Sequence, residues 1–387
     1  MTQYDFTTVP DRIRTHSSKW YEVQSDPDLL PLWVADMDFE VYPEFNKVLD
    51  EYRSYQVYGY PVAKDSLYQA VMDWEKSQHG YGITKDDIVF VEGVVPAIGI
   101  AITAFTEVGD AVLINTPVYP PFARTVKLND RKLITNSLLE QNGHFEIDFE
   151  QLEKDIVDND VKLYVLCSPH NPGGRVWSAD ELRQIGELCQ KHGVLIVSDE
   201  IHQDLVLFGN KHHSFNTLSP DFKDFAIVLS SATKTFNIAG TKNSFALIEN
   251  KTLRDKFKRQ ALANNQHELS TFGLLATENA LTYGAPWLAE FKALMEKHID
   301  LVSERLAKTN IHVMRPEGTY LVWLDFSAYG LSHQDLLRVI HDDAKLILND
   351  GETFGREGRQ HARLNLATPT RILEEALERL VKVFNNN

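Results

Sequence analysis

From about residue 86 to residue 249 the chain repeats one theme: a short apolar run rich in β-branched residues, a turn, then a stretch with helical spacing. The runs are Ile88–Val91, Ala111–Ile114, Lys162–Leu166, Val194–Val197, Ala226–Leu229 and Ser244–Ile248. Apolar character on both faces suits strands covered from both sides, so a mainly parallel α/β sheet flanked by helices is expected. Ser178 and Glu181, ahead of Leu182, Ile185 and Leu188, predict a helix opened by a capping box. After Pro286 the pattern changes. A long amphipathic stretch from about Trp287 to Ala307 predicts a helix, Gly318–Leu324 carries a strand-like run, and Arg371–Val383 predicts a last helix. Residues 286–387 therefore read as a second, smaller α+β domain.

Composition narrows the partners. The 387 residues suffice for two domains, and no repeat, low-complexity tract or long Pro/Gly/Ser linker separates them. With 39 Lys and Arg against 55 Asp and Glu the formal charge is −16. Such a surface repels phosphate backbones and anionic membranes, so neither nucleic acid nor a membrane is an expected partner. Cys167 and Cys189 are the only cysteines and form no Cys-x-x-Cys, which supports no zinc ribbon or disulfide framework and points to structural thiols in a reducing compartment. Met1–Phe6 lacks a basic patch followed by an apolar run, and no later stretch approaches ~18 apolar residues. A cytoplasmic protein is expected.

Several common catalytic signatures are absent: Gly-x-Gly-x-x-Gly, a Walker loop, Gly-x-Ser-x-Gly and His-Glu-x-x-His. Adjacent His212 and His213 stand in a polar loop and are expected to be solvated rather than metal-bound. What remains is a set of polar turns at the ends of the apolar runs, where open α/β sheets present their chemistry. These are Pro169–Arg175, Ser198–His202 and Ser231–Asn237. Asn171 precedes Asp199 by 28 residues, and Asp199 precedes Lys234 by 35, each room for one strand-and-helix crossover.

These turns belong to a longer series: Leu32–Phe39, Tyr58–Tyr60, Glu92–Pro96, Pro117–Phe122, Pro169–Trp177, Ser198–His202, Thr233–Gly240 and Arg363–Asn365. In that order, and nearly end to end, the chain resembles the PatB/MalY-type carbon–sulfur lyases, also called cystathionine β-lyases, of the class-I/II aminotransferase superfamily. The resemblance implies the fold-type-I fold of pyridoxal-phosphate-dependent transferases. It also implies that residues 46–285 form the large cofactor-binding α/β domain and that residues 1–45 join the small one.

Such an enzyme needs an amine to carry the cofactor's aldehyde, and Lys234, on a Ser/Thr-rich turn after an apolar run, is the candidate; a surface lysine is the competing reading. Asp199 suits the ring nitrogen, whose protonated form a buried carboxylate favours, and competes with a helix cap. Asn171 can donate to the ring's phenolate oxygen, or simply make an Asn-Pro turn. Tyr119 is similar to the aromatic that stacks on the ring, with a core tyrosine as rival. His202 stands where many aminotransferases carry tyrosine, or is structural. Gly93, Val94 and Val95, ahead of Pro96, suit phosphate at a helix N-terminus, and Ser231 and Thr233 can add hydroxyls. Lys242 occupies the place, eight residues after Lys234, where the aminotransferases generally have arginine. The resemblance further implies a homodimer in which Tyr60 reaches the neighbour's phosphate; packing is its alternative. Arg363 can clamp a substrate carboxylate or serve an ordinary ion pair. Trp33 and Asp36 belong to a segment implied to line the substrate pocket, although Asp36 and Asp38 also read as a solvated turn.

The leading expectation is pyridoxal-phosphate-dependent β-elimination from an amino-acid thioether, yielding a thiol, pyruvate and ammonia. An aminotransferase and a regulatory binding protein that keeps the fold are the alternatives.

Overall fold

The apolar runs assemble into a seven-stranded sheet in the computed structural model, which describes residues 3–141 and 143–385. Met1, Thr2, Asn142, Asn386 and Asn387, four of them in the expected terminal stretches, lie outside the described residues. The strands are β1 (Ile88–Val91), β2 (Ala111–Thr116), β3 (Lys132–Ser137), β4 (Val161–Cys167), β5 (Leu195–Asp199), β6 (Ala226–Ser230) and β7 (Ser244–Leu247). They lie in the order β1-β7-β6-β5-β4-β2-β3, with β7 antiparallel to both neighbours and every other pair parallel. Every residue of β1, β2, β6 and β7 is buried, as helices on both faces require.

β3 was not among the expected runs. It is an edge strand whose polar residues alternate, with only Ile134 and Asn136 buried, and an edge tolerates that half-wet pattern. β2 and β4 outrun their apolar stretches because main-chain pairing continues through Asn115↔Asn136, Thr116↔Ser137 and Cys167↔Asp199. β5 starts one residue later than expected, since the Val194 N–H is spent on Cys189 O, closing the Ala179–His192 helix behind left-handed Gly193. That helix opens with the expected reciprocal bonds between Ser178 and Glu181.

A second, antiparallel sheet holds β8 (His312–Met314), β9 (Leu321–Asp325), β10 (Asn349–Asp350) and β11 (His361–Asn365), ordered β8-β9-β11-β10. Two long helices accompany it, Ala285–Leu306 with Pro286 in its first turn, and Thr370–Val383, with the shorter His333–Arg338 between β9 and β10. The N-terminal segment ties the two sheets together. Leu30–Pro31 pairs in parallel with Leu346–Ile347. Just beyond, the Asn365 amide donates to the Val34 and Asp36 carbonyls, while Asn237, three residues past Lys234, accepts from Met37 N and donates to Met37 O and Phe39 O.

A further junction forms at Gly174, whose φ of +67° glycine adopts without a Cβ clash. Its carbonyl accepts from Glu317 N and Gly318 N. A Cβ here would lie 2.3 Å from Pro316 Cβ and 2.7 Å from Gly318 O. Gly174→Ala is expected to lower the unfolding free energy by about 2–4 kcal/mol, read from the urea midpoint. A midpoint equal to the parent's would show that the junction between the sheets does not depend on this contact.

Candidate active site

The carboxyl ends of β4, β5 and β6 open into a cavity of about 550 Å³, walled on the far side by Trp33, Val34 and Ala35 and by Arg363 of β11. Three polar turns meet there, as their spacing implied: Asn171 follows β4, Asp199 ends β5, and Lys234 lies on the short helix Ala232–Thr235 that follows β6.

Lys234 faces the cavity rather than bulk solvent, and its Nζ donates to the Ala35 carbonyl at 2.6 Å. Burial, then the Arg363 charge, pulls its pKa down to about 8 against the pull of Asp36 and Asp199. Asp199 is 4% exposed. Its Oδ1 accepts from Ile201 N at 3.1 Å within the turn that follows β5; the next short helix, Gln203–Leu205, has His202 as its N-cap, so Asp199 caps no helix and the competing reading as a helix cap falls away. Burial raises its pKa to about 7, with Glu200 adding to the effect and the Ile201 N–H and Lys234 opposing it. His202 is also buried. Burial, then Lys234 and Arg363, holds its pKa down to about 3, so the ring is neutral, and Nδ1 has no hydrogen-bond partner among the described residues.

Arg363 is a buried cation with no carboxylate partner among the described residues, which sets aside its reading as an ordinary ion-pair arginine. Its Nη1 donates to Asn171 Oδ1 (3.0 Å), and its Nη2 to Trp33 O (2.8 Å) and Asn349 Oδ1 (2.7 Å). Nε is buried and unpartnered among the described residues, and the guanidinium carbon lies 5.0 Å from the centre of the Phe354 ring. With Asn171 Oδ1 taken, that residue offers its amide NH2 to the cavity.

The helix Val94–Phe105 points its N-terminus at the cavity: Gly93 is its N-cap, and the amides of Val94 and Val95 belong to the first turn, which has no intrahelical acceptors. Thr233 lines the cavity. Ser231 does not: its hydroxyl sits 2.8 Å from Thr233 Oγ1, accepts from Thr233 N and donates to Asn243 O, so it braces Thr233 from behind. Lys242 reaches the cavity rim from a left-handed residue at φ +51°. Tyr119 lines the cavity, its hydroxyl pKa raised by burial and then by Asp199.

Three more expectations need correction. Asp36 does not line this cavity: Arg12 holds its carboxylate with bonds of 3.0 and 2.6 Å on the outer side, leaving Val34 and Ala35 as the wall. Nor is Asp38 solvated. It is 1% exposed and bonded to buried Lys19 (2.7 Å), Arg12 (2.8 Å) and Trp20 (2.9 Å). His212, expected to be solvated, is buried with Nε2 at 2.9 Å from Glu200 Oε2. Among the described residues no three His, Cys, Asp or Glu side chains could hold a metal.

Tyr60 stands apart from its own chain's cavity and is 97% exposed. Asn349 and Cys167, which sequence reading missed as site residues, both line the cavity. Asn349 is the register partner of Arg363, and Cys167 that of Asp199. Cys167 had a usable signal, since it closes an apolar run just before the Asn171 turn, whereas Asn349 had none.

A lysine amine and a buried carboxylate from neighbouring strand ends, beside an open helix N-terminus, define a pyridoxal-phosphate enzyme of the fold-type-I architecture. The chain belongs to the family described as aminotransferase class I and II, whose model matches residues 28–380. It is 40% identical to cystathionine β-lyase PatB of Bacillus subtilis over 383 residues, covering 97% of this chain and 98% of that one. Among solved structures it is similar to cystalysin from Treponema denticola, which contains a pyridoxal 5′-phosphate cofactor (36% identity, TM-score 0.95, 98% of each chain covered). It is also similar to the pyridoxal-phosphate-bound C–S lyase from Staphylococcus hominis (28% identity, TM-score 0.92, 99% of this chain and 98% of that one).

The raised pKa of Asp199 has a signed consequence for the cofactor-free chain. Because the folded value, about 7, lies above the ordinary ~3.9, stability is full below pH ~4 and is lost as pH rises through 7. Asp199→Asn in cofactor-free protein is therefore expected to be more stable than the parent at pH 8, by about 2–4 kcal/mol, with the gain gone near pH 4. Equal denaturation curves at both pH values would show that the carboxylate is not desolvated.

Proposed function

We propose that this protein is a pyridoxal-phosphate-dependent carbon–sulfur β-lyase acting on L-cystathionine or a related cysteine S-conjugate. The observation that carries the reading is a buried Arg363, with no carboxylate partner among the described residues, sharing one cavity with Lys234, in a chain 40% identical to a cystathionine β-lyase over 97% of its length.

The groups the fold brings to the cavity fit the cofactor. Lys234 would carry it, Asp199 would hold the ring nitrogen, Asn171 the ring oxygen, and Tyr119 a ring face. The amides of Gly93, Val94 and Val95, with Thr233 and Lys242, would hold the phosphate. Pyridoxal phosphate, when bound, supplies an electron sink that makes the Cα–H bond of an attached amino acid acidic.

The remaining steps fall to the chain's own residues. Arg363 receives the substrate carboxylate; its bonds to Asn171, Asn349 and the Trp33 carbonyl fix the guanidinium plane before the substrate arrives. Lys234 Nζ takes the Cα proton, and with a pKa near 8 its free base is present around neutral pH. The Cβ–S bond then breaks with its electron pair on sulfur, a departure suited to a thiol of pKa ~8.5. The thiolate takes up a proton, and the three-carbon remainder takes up water to give pyruvate and ammonia. Neutral His202 adds no further cation beside Lys234 and Arg363 and keeps Nδ1 free to bond cofactor or substrate.

Three finer readings go with this one. The loop between the helices Pro43–Ser54 and Asp65–His79 exposes Val57, Tyr58, Tyr60 and Val62, which supports a homodimer with Tyr60 at the partner's phosphate site. Two free, buried thiols support a cytoplasmic location. The pairing of Leu30–Pro31 with Leu346–Ile347 supports grouping residues 1–45 with 286–387, around a large domain of 46–285.

Incubation with L-cystathionine and no keto acid is expected to yield pyruvate, ammonia and homocysteine in equal amounts, with Arg363→Lys lowering kcat/KM about 100-fold. Turnover that needs a keto-acid acceptor and keeps the thioether intact would make the protein an aminotransferase. For the dimer, mixing inactive Tyr60→Ala and Lys234→Ala chains should restore up to about a quarter of parental activity, since only one site per mixed dimer is intact. No recovery in verified mixed dimers would confine each site to one chain.

A further inference from the structure

Directly behind the cavity lies a buried ionic cluster that the chemistry above does not use. Neighbouring residues face opposite ways at both strand ends: Asp199 and Lys234 line the cavity, whereas Glu200 and Thr235 do not and are fully buried. Asp204 is the hub of the cluster. Its Oδ2 accepts from the Thr235 hydroxyl at 2.7 Å, and its Oδ1 from Trp74 Nε1 at 3.0 Å and from His79 Nε2 at 2.8 Å. Beside it, buried Glu75 accepts from Gln203 (2.7 Å), and Glu200 is bonded to Ser198, Phe215 N and His212 (each 2.9 Å). The His79 and His212 rings meet edge to face, 5.6 Å apart.

The cluster is built to keep Asp204 ionised. Burial works against its charge, but the bond and charge of His79 with the Thr235 and Trp74 bonds bring its pKa down overall. Burial likewise disfavours the His79 cation; Asp204, with Glu75 and Glu200, nevertheless raises its pKa, and its place in the last turn of the Asp65–His79 helix adds to the effect. Burial, first of several causes, raises Glu75 to about 7.

We infer that the His79–Asp204–Thr235 chain positions the catalytic lysine, anchoring the residue after Lys234 to the Asp65–His79 helix so that its amine stays in the desolvated cavity. The helix bearing Lys234 spans only Ala232–Thr235, too short to hold its own geometry, so its orientation depends on such anchors. Thr235 donates one bond to a carboxylate that also binds two donors from the neighbouring helix, and the Phe236 ring packs on Trp74 at 5.7 Å. Thr235 and Asp204 are thus positioning residues, acting on the reaction only through Lys234.

The inference rests on Lys234 as the cofactor-bearing lysine, so one of its two readouts needs no turnover. Thr235→Val removes the hydroxyl at nearly constant shape, and Thr235→Ser restores it. In the cofactor-loaded enzyme Thr235→Val is expected to lower kcat about tenfold or more with KM changed less than about threefold, and Thr235→Ser to recover most of the loss. In cofactor-free protein, the pH midpoint for acetylation of Lys234, followed by peptide mass spectrometry, should rise from near 8 toward the ordinary lysine range in Thr235→Val and return in Thr235→Ser. An unchanged midpoint in folded Thr235→Val overturns the inference, as does a loss of kcat that Thr235→Ser fails to restore. If the parent shows no thioether cleavage, the proposed reaction fails while the labelling midpoint still decides the positioning role.

Discussion

Two cations, the half-buried Lys234 ammonium and the buried Arg363 guanidinium, share one cavity, and much of the surrounding structure exists to make that tolerable. Neither has a salt bridge among the described residues. They rest instead on neutral oxygens: Ala35 O for the amine; Trp33 O, Asn171 Oδ1 and Asn349 Oδ1 for the guanidinium. Neutral acceptors engage the Lys234 amine and both Arg363 Nη groups without quenching the charges, so both are left for a carboxylate and for the proton chemistry. The burial that makes the lysine a usable base also makes the arginine a strong anion trap.

Two of those oxygens belong to one short segment, Trp33–Ala35, which carries no charge of its own. Its placement is delegated to the next turn, where Arg12 and Lys19 bind Asp36 and Asp38 from outside. The ionic contacts therefore sit one layer away from the reacting groups and fix the wall without competing for substrate. Behind β5 and β6 the same division recurs, with Glu200 and Asp204 in ionic contacts on the side away from the cavity.

Much of the fold was legible because buried parallel strands are apolar on both faces, a signal that survives in a single sequence. The edge strand β3 was not, since Lys132, Thr135 and Ser137 give it the look of a loop and only pairing with β2 makes it a strand. Within the site, Lys234, Asp199 and Asn171 were readable because each directly follows or ends an apolar run. Asn349 was hidden because a register pairing, not a motif, places it against Arg363. Asp36 misled for the opposite reason: its motif is adjacent to the cavity, but Arg12, 24 residues earlier, turns its carboxylate away. The Asp204 cluster joins residues 130 apart along the chain and leaves no local pattern at all.

The bond from Arg363 to the Trp33 carbonyl spans 330 residues. A chain leaves the ribosome from its N-terminus at about 5–20 residues per second, so Trp33 emerges roughly 15–60 s before the side chain that must grip it. The seven-stranded sheet, complete by Leu247, has its strands during that interval, but the far wall of the cavity still lacks Asn349 and Arg363. The catalyst is thus closed last, and a nascent chain passes through a stage in which the lysine turn stands open to water and to other proteins.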